Sequence, residues 1–121
     1  GSTETISQEA TYDNVNNAGT LNNKASFTVN TKLTNSSTID NSSSIVTKEI
    51  GNQSGASITG ASGSLKISSG GINDGTIEQN IVSITGGTLV NSGTINATTF
   101  SNSGQLTGTG KLIAEAAIQQ Q

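Results

Sequence analysis

Large apolar residues recur at every sixth position over much of the chain. The series runs Val15, Leu21, Phe27, Leu33, Ile39 and Ile45, and after an irregular middle it resumes at Leu89, Ile95, Phe100 (one residue early), Leu106, Leu112 and Ile118. The residue two before each is small almost throughout: Gly19, Ala25, Thr31, Ser37, Ser43, Gly87, Gly93, Thr98, Gly104, Gly110 and Ala116. A helix repeats its buried face about every 3.6 residues and a strand alternates by two, so a period of six is neither. It describes a short strand, small-inside then large-inside with a polar residue between, followed by a polar corner. Strand and corner repeated along a chain build a β-solenoid, in which each turn buries its inward residues against the turns above and below.

Longer-range agreement sets the size of the turn. Thr20-Leu21, Thr38-Ile39, Ser57-Ile58, Thr76-Ile77 and Thr94-Ile95 recur at steps of 18, 19, 19 and 18, so three hexads make one rung. Leu21, Ile39, Ile58, Ile77 and Ile95 then form one inward apolar column. Asn17, Asn35, Asn52, Asn73 and Asn91 form a second column that tolerates extra residues at Gly55-Ala56 and Gly60-Ala61-Ser62-Gly63. A third face carries Phe27, Ile45, Leu65 or Ile67, Ile84 and Phe100. The expected fold is all-β, a single-stranded parallel β-helix of about six triangular rungs. With strands stacked about 4.7–4.9 Å apart it stands roughly 30 Å tall.

The expected organisation is an N-terminal flank or cap over 1–14, the solenoid over 15–113, and a tail or cap over 114–121. The tail reads as either a last strand or a helix, since Lys111–Gln121 is rich in helix formers. Caps are expected because an exposed rung offers unpaired strand edges.

Asparagine at the corners has two physical motives. Placed two after the large residue, as in Leu33-Thr34-Asn35 and Leu89-Val90-Asn91, it tolerates the left-handed backbone that a bend can require. Stacked at one corner, its amide can donate and accept between rungs, each bond worth about 0.5–1.5 kcal/mol net. The sequons at Asn35, Asn41, Asn52 and Asn96 follow from so polar a composition.

Composition narrows the field. Of 121 residues 30% are hydrophobic and 2% aromatic, with no Pro, Cys, Met, Trp or His, too little to fill a conventional globular core. Low net charge of −3 and strict spacing argue against the disorder that such composition otherwise suggests. Without cysteine there is no disulfide or thiolate metal site. Five lysines, no arginine and a pI near 4.6 exclude a nucleic-acid footprint. No apolar run is long enough to insert this segment in a membrane. Gly1-Ser2 reads as an expression scar on a segment of something longer.

Catalytic chemistry finds little to work with. The acids are scattered, and only Asp40 and Glu78 share a column, two rungs apart with Thr59 between; that spacing of about 9–10 Å is compatible with an inverting pair, but two solvated acids are the expected reading. Gly70-Gly71-Ile72-Asn73-Asp74-Gly75 is a single faint echo of a calcium repeat, and the Thr columns are too interrupted by charge for ice binding. The expectation is no enzyme, no cofactor and no metal. If this segment binds anything, the corners that break the hexad are the candidate places: Gln53, Ser54 and Gly55 in one, Gly60, Ser62 and Gly63 in the other.

The phrase Leu89-Val90-Asn91-Ser92-Gly93-Thr94-Ile95-Asn96, echoed at Phe100–Thr107 and at Val15–Asn22, resembles the passenger repeats of bacterial autotransporters and of filamentous-haemagglutinin-like exoproteins. The resemblance covers most of 15–113 and implies a right-handed β-helix on the bacterial surface, a stiff adhesin stalk whose partner is a host-cell surface or glycan. Self-association through rung ends, as in a bactofilin-like or extracellular filament, and a carbohydrate-binding β-helix are the competing expectations. Left-handed hexapeptide acyltransferases are similar in period only, and their catalytic His is missing.

Overall fold

The computed structural model describes residues 3–119, and all thirteen strands pair in parallel: β1 (Thr3–Ile6), β2 (Ala10–Asn17), β3 (Thr20–Asn23), β4 (Ser26–Asn35), β5 (Thr38–Asn41), β6 (Ser44–Asn52), β7 (Ser57–Thr59), β8 (Ser64–Asn73), β9 (Thr76–Ile84), β10 (Thr88–Asn91), β11 (Thr94–Asn102), β12 (Gln105–Thr107) and β13 (Lys111–Gln119). They wind into a β-solenoid of about six turns. Face A comprises β1, β3, β5, β7 and the first halves of β9, β11 and β13. Face B comprises the first halves of β2, β4, β6 and β8 and the second halves of β9, β11 and β13. The second halves of β2, β4, β6 and β8, with β10 and β12, complete face C.

The register stacks like on like. On face A, Leu21, Ile39, Ile58, Ile77 and Ile95 are successive partners and all are buried, as the spacing predicts. Face B stacks Phe27, Ile45, Leu65, Val82 and Phe100. Ile84 therefore leaves the column expected for it and joins Val29, Thr47 and Ile67 one inward position further on. Face C stacks Val15, Leu33, Ile50, Gly71, Leu89 and Leu106. Each fully buried Leu, Ile or Phe contributes roughly 1.5–3 kcal/mol, so these columns are the main cohesive force along the axis.

The small residues two before each large one are not the second inward set. Ser37, Ser43 and Gly93 sit half-buried at corners, while Thr31 and Thr98 are exposed. The second inward residue lies two after the large one, at Asn23, Val29, Asn35, Asn41, Thr47, Asn52 and their stacked partners. The earlier small residue falls instead at a corner, either in the turn that precedes the strand or, for Thr31 and Thr98, where β4 and β11 run on from one face to the next.

The stacking extends into both flanks. Thr3–Ile6 pairs with Thr20–Asn23, so the stretch expected as a flank carries β1 and most of β2. At the other end Lys111–Gln119 pairs with β11, which makes the tail a strand over those residues. Ile118 is placed by its backbone pairing with Ser101; its side chain lies outside the described ones.

Corner geometry changes midway. In β2, β4, β6 and β8 one strand runs through the corner between faces B and C; β4 and β6 do so with a register shift. In β9, β11 and β13 the continuous strand instead spans faces A and B. Between the two regimes lies the rung of β7 and β8, which holds the positive-φ glycines Gly60, Gly70 and Gly71. The tight corners keep their own backbone ladders, for example Ser36 N–H to Asn17 C=O (2.9 Å), Gln53 to Asn35 (2.9 Å) and Ser92 to Asn73 (2.8 Å). Corner backbone groups thus find partners one rung away, as buried peptide groups must.

Candidate functional site

The asparagine column is a continuous side-chain wire. Asn17, Asn35, Asn52, Asn73 and Asn91 end successive strands of face C with their amides turned inward, all buried. Nδ2 of each donates to Oδ1 of the next at 2.9, 2.9, 2.9 and 2.8 Å. The same nitrogen donates to the carbonyl that opens face A one rung on: Thr38, Ser57, Thr76, Thr94 and Lys111. Oδ1 of Asn35 also accepts from the Ser37 N–H (3.3 Å). A carboxamide has both donor and acceptor on one short stem, so it can pass a hydrogen bond down a stack without building up charge.

Left-handed backbone is not part of the reason. Among the described residues every positive-φ position is a glycine, so the expectation that Asn bends the corner through that region is corrected. The bend is made by the residues after Asn, and the amide braces it.

A second ladder went unread in the sequence. Asn23 Nδ2 donates to Asn41 Oδ1 at 2.8 Å, and Asn41 Nδ2 donates to Gln79 Oε1 at 2.6 Å although two rungs separate them. The intervening level holds Gly60, whose carbonyl accepts from Gln79 Nε2 at 3.2 Å. Glutamine, one methylene longer than asparagine, reaches across the level that lacks a side chain. The only sequence signal was the recurrence of Asn two after Leu21 and Ile39, and it broke off at the insertion.

The corner residues proposed for binding form two turns, not one patch. Gln53–Ala56 closes with Ala56 N–H to Gln53 C=O (2.9 Å), and Gly60–Gly63 closes with Gly63 N–H to Gly60 C=O (3.2 Å). They flank β7 at its two ends. Gln53, Ser54, Gly55 and Ser62 are exposed, whereas Gly63 is buried and Gly60 is half-buried. A Cβ at Gly60 or Gly63 would run into the Asn41 carbonyl, while at Gly55 it would meet nothing. Gly60 and Gly63 are therefore explained by close approach of the neighbouring rung.

Gln53 also borders an outward concavity on face C. A shallow cleft of about 160 Å³ lies where Gly51 leaves the surface bare, lined by Lys32, Thr34, Gln53, Ile72 and Asp74. The Lys32 stem lies across Gly51, with Cε 3.2 Å from where a Cβ would stand. Ile72 and Val90 stack beside it on the outer surface, 50% and 37% exposed. The cleft is below the roughly 300 Å³ of ordinary ligand pockets, sized for one side chain or part of one sugar. A larger cavity of about 280 Å³ opens at the first rung, between Glu4, Ile6, Tyr12, Val15, Leu21 and Phe27. There Tyr12 meets Phe27 edge-on, with centroids 5.7 Å apart at 67°.

Asp40 pairs with Thr59 on face A and Glu78 with Asn96, both acids exposed, which agrees with the column expected for them. Among the described residues no three metal-ligating side chains gather.

These features define the class: a β-helical repeat protein with an internal amide ladder. No family model, curated protein or solved structure matches the chain.

Proposed function

We propose that this chain is a non-catalytic, extracellular β-solenoid segment that acts as a stiff stalk, presenting binding surfaces away from a bacterial cell. The observation that supports it most is axial continuity: the Leu21–Ile95 column and the Asn17–Asn91 ladder run unbroken through five rungs, so bending the rod must break several stacked contacts together. The resemblance to autotransporter passengers and filamentous-haemagglutinin-like exoproteins supports the adhesive setting, with a host surface or glycan as partner. A weak glycan contact fits the Lys32–Asp74 cleft, whose charged and amide groups surround an apolar floor.

The test displays a fluorescent reporter from a cell surface through this chain, or through a Gly/Ser linker of equal length, and measures its distance from a membrane dye. A stalk gives a narrow distribution with a mean set by a rod of about 30 Å; a flexible linker gives a broad one. A distribution as broad as the linker's, or turnover of a polysaccharide by the purified protein, overturns the reading. The second reading, a filament subunit, is favoured by the strand edges that β1 and β13 present along the axis, and by edges alone.

A further inference from the structure

The glycine at position 51 is not required by the backbone. From Gly55 to Gly110 every glycine either has a positive φ or stands where a Cβ would come within 3.0 Å of a neighbouring backbone atom. Gly51 does neither. The three atoms nearest to a Cβ there all belong to side chains: Lys32 Cε at 3.2 Å, Lys32 Nζ at 3.8 Å and Thr34 Oγ1 at 3.9 Å. The register shift in β6 falls before it, between Thr47 and Glu49. Its column on the outer surface carries side chains on either side, with Thr34 one rung before and Ile72 one rung after. Glycine inside a strand weakens it, and where no bulge or bend calls for it the usual reason is close approach by another backbone or by a ligand.

The space left by Gly51 is the cleft of about 160 Å³, which spans two rung steps, about 9–10 Å. Its walls are chemically divided. Ile72, 50% exposed, supplies an apolar side, and the Lys32 ammonium lies over the floor. Gln53 and Asp74 line the cleft from the corner, their backbone N–H groups held by the Asn35 and Asn52 carbonyls at 2.9 and 2.8 Å. A pyranose ring is divided in the same way, with C–H groups on a face and hydroxyls around the rim. Asp74 can accept from two adjacent hydroxyls, Gln53 can donate and accept, and Lys32 can donate. A few placed polar groups beside apolar surface are what orient a small ligand.

Charge narrows the choice of sugar. Glu49, the exposed register partner of Lys32, lies on the same outer surface, so Glu49 and Asp74 set two carboxylates against one ammonium. An acidic sugar would gain Lys32 and meet both carboxylates, and that repulsion selects against it.

We propose that the cleft over Gly51 binds one pyranose unit that carries no acidic group, with Asp74 and Gln53 at its hydroxyls and Ile72 against its C–H face. This rests on the glycan contact included in the proposed function and names its ligand; the stalk reading is tested separately, by the stiffness of the rod.

Residue-resolved NMR titration of the backbone amides tests it, with the methyl β-glycosides of glucose, galactose and N-acetylglucosamine as neutral probes and methyl β-glucuronide as the acidic one. At least one neutral glycoside is expected to shift the Gly51, Gln53 and Asp74 amides saturably, with a Kd of about 1–10 mM for so small a ligand on an open surface. The glucuronide is expected to bind about 3-fold more weakly or worse. Gly51→Thr puts the residue type of Thr34 into the bare place and is expected to weaken neutral binding at least about 10-fold, while amide shifts away from the cleft show that the fold is kept. Glu49→Gln is expected to leave neutral binding unchanged and to raise affinity for the glucuronide, which separates charge from contact. Neutral binding that survives Gly51→Thr overturns the proposal, and so does a wild type that prefers the glucuronide; in that second case the glycan contact itself stands. If none of the four probes shifts these amides, the proposal and the glycan contact fall together. Neither result changes the distance distribution of the displayed reporter, so failure here is distinguishable from failure of the stalk.

Discussion

An isoleucine or asparagine in this fold is held by the residue one rung away, some eighteen positions distant in sequence, more than by its neighbours along the chain. Ile39 is fully buried between Leu21 and Ile58, whereas Thr38, one residue earlier, faces outward. Ile39→Asp is therefore expected to cost more than about 4 kcal/mol, through the void and the unpaired carboxylate, and Thr38→Asp less than about 1 kcal/mol. Chemical denaturation of the two variants measures the difference; equal losses would refute the register. The amide ladder obeys the same rule of neighbours. Asn73 joins Asn52 to Asn91, so Asn73→Leu strands a donor on one side and an acceptor on the other, and is expected to cost roughly 2–4 kcal/mol despite its added apolar surface. A leucine variant as stable as wild type would show that the ladder contributes nothing net.

Corner and strand behave as a unit at the level of β7. This strand has three residues, enters from the Gln53–Ala56 turn and leaves through Gly60–Gly63. Both turns contain a positive-φ glycine, Gly55 at 83° and Gly60 at 135°, yet their surroundings differ. Open space surrounds Gly55, and the Asn41 backbone abuts Gly60. Gly55→Ala is expected to cost about 1 kcal/mol, as backbone strain alone, whereas Gly60→Ala must also displace a neighbouring rung and the Asn41–Gln79 bridge, for about 3 kcal/mol or more. Thermal denaturation separates them; a Gly60→Ala protein no less stable than Gly55→Ala would mean that the rungs do not approach so closely. Glycine at such positions reads in sequence as a neutral insertion, because nothing local shows that a carbonyl from nineteen residues earlier will occupy the space.

At the scale of the whole chain, the first rung covers the apolar columns of the second. Deleting Thr3–Asp13 removes β1 and the first half of β2 and uncovers the edges of β3 and β4. Leu21 and Phe27, now buried, would face solvent. The truncated protein is expected to associate end to end at concentrations where the intact chain does not, and sedimentation of both across a concentration series measures it. A truncated protein that stays monomeric and equally stable would show that the first rung protects nothing.

The hexad of large apolar residues was enough to predict parallel stacking, a rung of about 18 residues, the Leu21–Ile95 column and the Asn17–Asn91 column, because each inward residue meets its own counterpart and periodicity alone identifies the counterpart. Where the period faltered, between Gln53 and Leu89, sequence could not choose between Leu65 and Ile67 or place Val82; those depend on how many residues each corner absorbs, which only the pairing of backbones decides. The reason for asparagine was half legible: the ladder follows from amide chemistry, but the absence of left-handed backbone at those residues follows from the turn. The Asn41–Gln79 bridge and the bare strip at Gly51 needed tertiary structure altogether, since each arises where one rung departs from the repeat and a neighbouring rung responds.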